Sequence, residues 1–184
     1  MGRDVLPLTV DRLGDLTGSC ADCVFWELGP ALAARRRQHP REDKESWLTA
    51  TLLEWGTPGR VVYVDGRFAG EVSLGSVQRG PFQMGYIGYW IDEALAGRGY
   101  VPEGVVLMMR HAFEALQLHR LEAAIVPRNE ASRRVAQKLG LRDEGTAVRF
   151  LQIQGVYEDH VRYSITAEEW RERGHELVAR FVDR

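Results

Sequence analysis

Residues 88–140, GYWIDEALAGRGYVPEGVVLMMRHAFEALQLHRLEAAIVPRNEASRRVAQKLG, decide the fold. They open on the end of an aromatic strand, residues 82–91 (FQMGYIGYWI), which carries Gly85 and Gly88. Gly97-Arg98-Gly99-Tyr100 then turns the chain into a helix expected to start at Pro102, where a missing N–H is harmless because first-turn N–H groups have no intrahelical acceptor. Val105, Met108, Met109, Ala112, Phe113 and Leu116 give that helix a broad apolar face, so it should pack on a sheet. Residues 120–126, RLEAAIV, form a short apolar strand. Asn129 caps the next helix, with Ala131, Val135 and Leu139 inward and Gly140 as its stop. Strand, helix, strand and helix in alternation predict an α/β architecture around a mixed sheet.

Outward from this centre, RVVYV and RFAGEVSL are joined by Asp65-Gly66, a pair suited to a two-residue hairpin because both positions tolerate positive φ. Residues 5–10 (VLPLTV) suggest an opening strand, while Gly14, Gly18, Gly29 and Pro30 interrupt any long helix in the next thirty residues. Asp43 can cap a helix over residues 43–55 with Leu48, Leu52 and Trp55 on one face, stopped by Gly56 and Pro58. Towards the end, AVRFLQI and EDHVRYSI flank Gln154-Gly155 as a second hairpin. Thr166 and Glu169 have capping-box spacing for a final helix carrying Trp170, Leu177, Val178 and Phe181.

No repeat or low-complexity tract divides the 184 residues, which suit one domain spanning 1–184. With 45% hydrophobic residues the chain can hold a core without staples. A formal net charge of -2 offers no general field for a polyanion, so nucleic acid is not an expected partner. No apolar run approaches the roughly 20 residues of a membrane span, and the opening MGRDVLPLTV lacks the apolar centre of a signal peptide. A cytoplasmic protein without membrane contact is expected. Cys20 and Cys23 form a CxxC, but the five histidines are scattered singly, so no metal is expected and two reduced thiols fit best.

Two features carry chemistry. Residues 97–101 bring a glycine-rich turn to a helix start, where backbone N–H groups and the positive end of the dipole favour phosphate. The bland alternative is a tight turn. Arg128, Arg133 and Arg134 crowd the start of the following helix, where the dipole disfavours cations, so either an anion lies nearby or the arginines point to water.

The stretch AGRGYVPEGVVLMMRHAFEALQLHRLEAAIVPRNEASRRVAQKLGLRDEG, followed by LQIQGVYEDHVRYSITAEEW, resembles the GNAT superfamily of acyl-CoA-dependent N-acyltransferases, in particular the RimJ/RimL branch, over about residues 61–170. The resemblance implies a GNAT-like three-layer α/β fold, with a mixed, mostly antiparallel sheet flanked by helices. It implies acetyl-CoA as cosubstrate and transfer of acetyl to a primary amine, a protein N-terminus or a small amine, by direct attack in a ternary complex. The family's phosphate signature, Gln or Arg, two residues, Gly, one residue, then Gly or Ala, falls on Ala96, Gly99 and Val101, so two of three defining positions differ. Gly97, Arg98, Gly99, Tyr100 and Val101 are then the expected pyrophosphate loop, and Asn129 the expected holder of the pantetheine arm. Ser132 and Arg134 join them as expected cofactor contacts. Backbone donors for the oxyanion are expected near Trp90 and Ile91, with Ile91 assigned to the cofactor site. The first sixty residues, with CVFWELG and WLTATLLEWG, do not look like that branch, and a homodimer is left open.

Aminolysis of a thioester needs a base for the ammonium, donors for the oxyanion and an acid for the thiolate. Many GNAT proteins place a Tyr acid seven residues after the Asn; that place is Ala136 here. Ser132 is the remaining hydroxyl on that helix face and is the expected donor to the thiolate, weighed against a role in capping the helix start. Glu71, Asp159 and His160 are candidate bases because each interrupts an apolar strand, although Asp159 and His160 must face opposite ways. For each of them a structural side chain is the alternative, and Trp90, Tyr86 and Tyr89 are expected as core or cleft wall. The rival functions are an acyl-CoA-binding module without efficient turnover and a CxxC metal or redox protein.

Overall fold

The computed structural model describes residues 2–15 and 59–183. Seven strands form one mixed, mostly antiparallel sheet in the order β1-β2-β3-β4-β5-β7-β6. β1 (Arg3–Pro7), β2 (Gly59–Val64), β3 (Arg67–Gln78) and β4 (Met84–Ile91) make an antiparallel half. β5 (Arg120–Ile125), β7 (Val156–Thr166) and β6 (Arg142–Ile153) make another, joined to the first by the parallel pair β4·β5.

Both expected hairpin turns form in the backbone region that their residues favour. Asp65 and Gly66 have φ of 49° and 73°, and Gln154 and Gly155 have 50° and 89°. β1 ends at Pro7 rather than running to residue 10, and a 3-10 segment, Val10–Asp15, follows it. The helix expected over residues 43–55 and the pair Cys20 and Cys23 lie outside the described residues.

α1 (Tyr100–Arg110) starts two residues earlier than its Pro102 suggested, because Gly99 takes the N-cap position; Pro102 then falls third, still in the turn that needs no N–H donor. It continues into a π-helical segment, His111–Ala115. α2 (Glu130–Lys138) carries the Asn129 cap, and α3 (Ala167–Phe181) carries the Thr166–Glu169 capping box. Val72, Leu74 and Ile87 from the first half, and Leu121, Ala123, Ile125, Val161, Tyr163 and Ile165 from the second, are alternate residues on one sheet face. They form one core with Val105, Met108, Met109 and Phe113 of α1, Ala136 of α2 and Trp170 and Phe181 of α3. Ala131, expected inward, is exposed, because Ala136 and Leu139 supply the buried edge of α2. No described helix is long and apolar enough to cross a membrane.

Candidate functional site

The site begins with a gap in the sheet. β4 and β5 pair only through Met84↔Arg120, Gly85↔Leu121 and Tyr86↔Glu122. Beyond Tyr86, β4 follows β3 as far as Ile91, and β5 follows β7 as far as Ile125, so the two parallel strands part. A cleft of about 640 Å³ opens there, walled by Tyr89, Trp90 and Ile91 of β4, the turn at Gly97 and Gly99, the start of α1, and the Asn129, Ser132 and Arg134 side of α2.

The turn owes its shape to glycine. Gly97 has φ 78° and Gly99 φ 90°, a region that costs other residues about 1–2 kcal/mol each. As the N-cap of α1, Gly99 offers no side-chain acceptor, whereas the caps of α2 and α3 close on their own helices. Tyr100 and Val101 also line the cleft, although both are largely buried. Arg98, expected in the loop's contacts, does not line the cleft; it is exposed and its Nη2 donates to Ala94 O at 3.3 Å.

Across the cleft, Asn129 Oδ1 accepts from the Ser132 backbone N–H at 3.0 Å, so the expected cap is made. The Tyr89 hydroxyl donates to the Ser132 carbonyl at 2.9 Å and ties β4 to α2. Burial, with the Tyr163 phenol adding to it, pushes the Tyr89 pKa well above its usual value, which keeps that hydroxyl a donor. Ser132 is half-buried, lines the cleft, and its hydroxyl makes no hydrogen bond among the described residues. It is therefore the hydroxyl on this wall that is not committed elsewhere.

For Arg128 and Arg133 the structure gives an explanation other than a nearby anion or arginines that point to water. Arg128 makes a two-point ion pair with Glu158 of β7, one arm at 2.9 Å. Arg133 Nε donates to the Tyr163 hydroxyl at 3.2 Å and Nη1 to Pro127 O at 3.4 Å. Arg134 reaches Glu130 at 3.4 Å in an exposed i,i+4 pair, a contact too weak to stop it meeting a ligand in the cleft it lines.

The candidate bases do not line this cleft. Glu71 is buried on β3 opposite Trp90, and its neighbour Val72 belongs to the helix-facing core, so Glu71 faces the other side of the sheet. His160 is likewise opposite to the core residue Val161; it is 2% exposed, with Nδ1 2.9 Å from Glu158 O and the Phe150 ring edge-on at 6.1 Å. Asp159 is exposed and accepts from the Arg149 backbone N–H at 2.8 Å, so it has a structural task in the irregular β6 ladder.

Sequence reading passed over Glu122. This carboxylate, buried on β5 at the last rung before the strands part, accepts from Arg120 Nε at 2.7 Å and from Arg162 Nη2 at 2.5 Å. Burial alone would raise its pKa, but the Arg162 and Arg120 hydrogen bonds outweigh it and leave the carboxyl below its usual range. The signal was present in RLEAAIV: a glutamate inside a strand otherwise read as apolar. Arg120 also pairs with Glu144, which accepts from Ser164 Oγ at 2.7 Å, so the floor of the far face is a fixed charge network.

Known proteins similar to this chain are acetyltransferases by name. A "Probable N-acetyltransferase YjcK" of Bacillus subtilis is 46% identical over 96 residues, 52% of this chain and 53% of that protein. The "[Ribosomal protein uS5]-alanine N-acetyltransferase" of Escherichia coli is 32% identical over 101 residues, 55% and 52% of the two chains. The chain thus spans about half the length of the curated relatives it matches. Among solved structures, "Mycobacterium smegmatis RimJ in complex with CoA-disulfide" superposes with a TM-score of 0.74 at 27% identity, covering 97% of this chain and 88% of that one. The model of the acetyltransferase (GNAT) domain matches residues 7–142, from the end of β1 to the start of β6, and the chain belongs to that family.

Proposed function

We propose that the protein moves acetyl from acetyl-CoA to a primary amine by direct attack in a ternary complex. The observation that carries this reading is the parting of β4 from β5 beside the Gly97–Gly99 turn and the start of α2, which leaves a slot open on the helix side of the sheet. The turn and the first residues of α1 hold the pyrophosphate, Asn129 and Ile91 hold the pantetheine arm, and Arg134 meets phosphate at the rim. The thioester then lies between the parted strands, where β4 backbone donors beyond Tyr86 have no β5 partner. The amine approaches from the opposite face, its nitrogen bonds to the carbonyl carbon, and the C–S bond breaks. Ser132 donates to the departing sulfur, and Glu71 or His160, both on the approach face, takes the amine proton.

The RimJ complex and the uS5-alanine acetyltransferase support coenzyme A as cosubstrate and a protein N-terminus as acceptor. Ala136, buried at 1%, stands where many GNAT proteins have their acid, which favours one rival: acyl-CoA binding without efficient turnover. Calorimetry with acetyl-CoA, then thiol release with a panel of peptides and small amines, separates the two. Binding with amine-dependent thiol release is expected. Binding without release supports the rival, and absence of binding removes both.

A further inference from the structure

The coenzyme cleft changes character along α2. Ala131, Arg134, Val135 and Lys138 line it at i, i+3, i+4 and i+7, which is one face of a helix, so the wall that opens on the Asn129 cap and Ser132 ends on two cations. By the rise of a helix, Lys138 lies about 9 Å along α2 from Ser132. Among the described residues lining the cleft the other charged one is Glu93, which belongs to the 3-10 segment Glu93–Leu95 and not to α2. Neither cation is spent within the protein. Arg134 meets Glu130 at 3.4 Å with both side chains exposed, and Lys138 makes no ion pair among the described residues. Its Nζ lies 5.6 Å from the centre of the Phe181 ring, and the Arg180 guanidinium lies 5.1 Å from the same centre. The ring steadies these charges without neutralising them.

A last-turn lysine suits the helix dipole wherever it points, but the dipole gives no reason for Arg134, one turn earlier, to share its face. What the two positions have in common is the cleft. A coenzyme A thioester brings two kinds of phosphate to it. The diphosphate falls to the backbone of the Gly97–Gly99 turn, which has no side chain to offer, and the ribose carries a separate monoester with about two negative charges at neutral pH. Two cations one helical turn apart match that group, whose oxygens accept from both. Resting on the acetyltransferase reading above, we propose that Lys138, with Arg134, binds the 3′-phosphate of the coenzyme, so that the enzyme discriminates against an acetyl donor that lacks it.

The test titrates acetyl-CoA and acetyl-3′-dephospho-CoA, which differ in that one group, into wild-type protein and Lys138→Gln by calorimetry, with circular dichroism to confirm the fold. Salt is kept at about 0.15 M, where exposed charges more than about 8 Å apart are largely screened, so that a contact is read and not a distant field. The wild type is expected to bind acetyl-CoA about ten- to a hundredfold more tightly than the dephospho donor, the effect of one or two charge-assisted hydrogen bonds. Lys138→Gln should lose about tenfold for acetyl-CoA and stay within about twofold for the dephospho donor. Equal wild-type affinities, tighter binding of the dephospho donor, or a Lys138→Gln variant that loses the same for both donors or nothing for either overturn the proposal. A wild-type protein that binds neither donor overturns the acetyltransferase reading instead. If Lys138→Gln does not fold, the ³¹P resonance of the monoester is followed against pH in the wild-type complex. A cation in contact moves its titration to lower pH than in the free coenzyme, and an unmoved titration overturns the proposal.

Discussion

Replacing Gly97 by Asn and by Asp isolates the charge that the turn is proposed to meet. Both side chains are the same size, both tolerate the left-handed region better than Ala does, and an added Cβ at Gly97 meets no heavy atom within 4 Å. The two variants should therefore share whatever backbone cost exists and differ by one negative charge. With that charge roughly 6 Å from a pyrophosphate of charge about -2, Coulomb's law gives about 1.4 kcal/mol at the dielectric of water, and about twice that at half that dielectric. Gly97→Asp should therefore bind acetyl-CoA about ten- to a hundredfold more weakly than Gly97→Asn at low salt. Near 1 M salt, where the Debye length is about 3 Å, most of the gap should close. Calorimetric titrations of both variants at two salt concentrations, with circular dichroism to confirm the fold, decide it. Equal dissociation constants at low salt would remove the turn from the phosphate site.

Ser132→Ala should lower kcat about ten- to a hundredfold with little change in KM for acetyl-CoA, while Asn129→Ala should raise that KM and cost about 1 kcal/mol of stability through the lost cap; a Ser132→Ala enzyme with wild-type kcat, where chemistry limits the rate, reduces Ser132 to a structural hydroxyl. The carboxyl of Glu144, held down to about 2 chiefly by its hydrogen bond from Arg120, has a folded pKa below its unfolded value near 4.5, so its contribution is complete above that value and is lost as pH falls towards 2. Glu144→Gln should cost on the order of 1–2 kcal/mol in urea unfolding at pH 7, and the difference from wild type should shrink steadily below pH 4.5; a gap independent of pH would contradict the pairing. Replacing Cys20 and Cys23 together by Ser should leave fold and turnover intact, and stoichiometric zinc lost in that variant would overturn the metal-free reading.

What the sequence disclosed was mostly local. Asp65-Gly66, Gln154-Gly155, the Asn129 cap and the Thr166–Glu169 box each announce themselves within four residues, and the structure has all of them. Helix starts were less exact, because the left-handed Gly99 captures the N-cap two residues before the Pro102 that advertises a first turn. Charges were misread for a different reason. Arg128 looks unpaired along the chain, yet its carboxylate, Glu158, is thirty residues away on β7. Longer separations, of 40 and 43 residues, hide the contact of Arg162 with Glu122 and the bond from Tyr89 to the Ser132 carbonyl, which needs β4 and α2 to be placed before it has meaning.

The placing of β7 between β5 and β6 bears on how the chain is made. A ribosome delivers β6 before β7, yet among the described strands β6 makes its backbone ladder with β7 alone. Until Thr166 has emerged, β5 hangs on β4 by three rungs, and its other edge, which six rungs to β7 will cover, stays open. The nascent chain therefore cannot complete its sheet strand by strand in order of synthesis. Docking of the β6·β7 hairpin is therefore a late, long-range step.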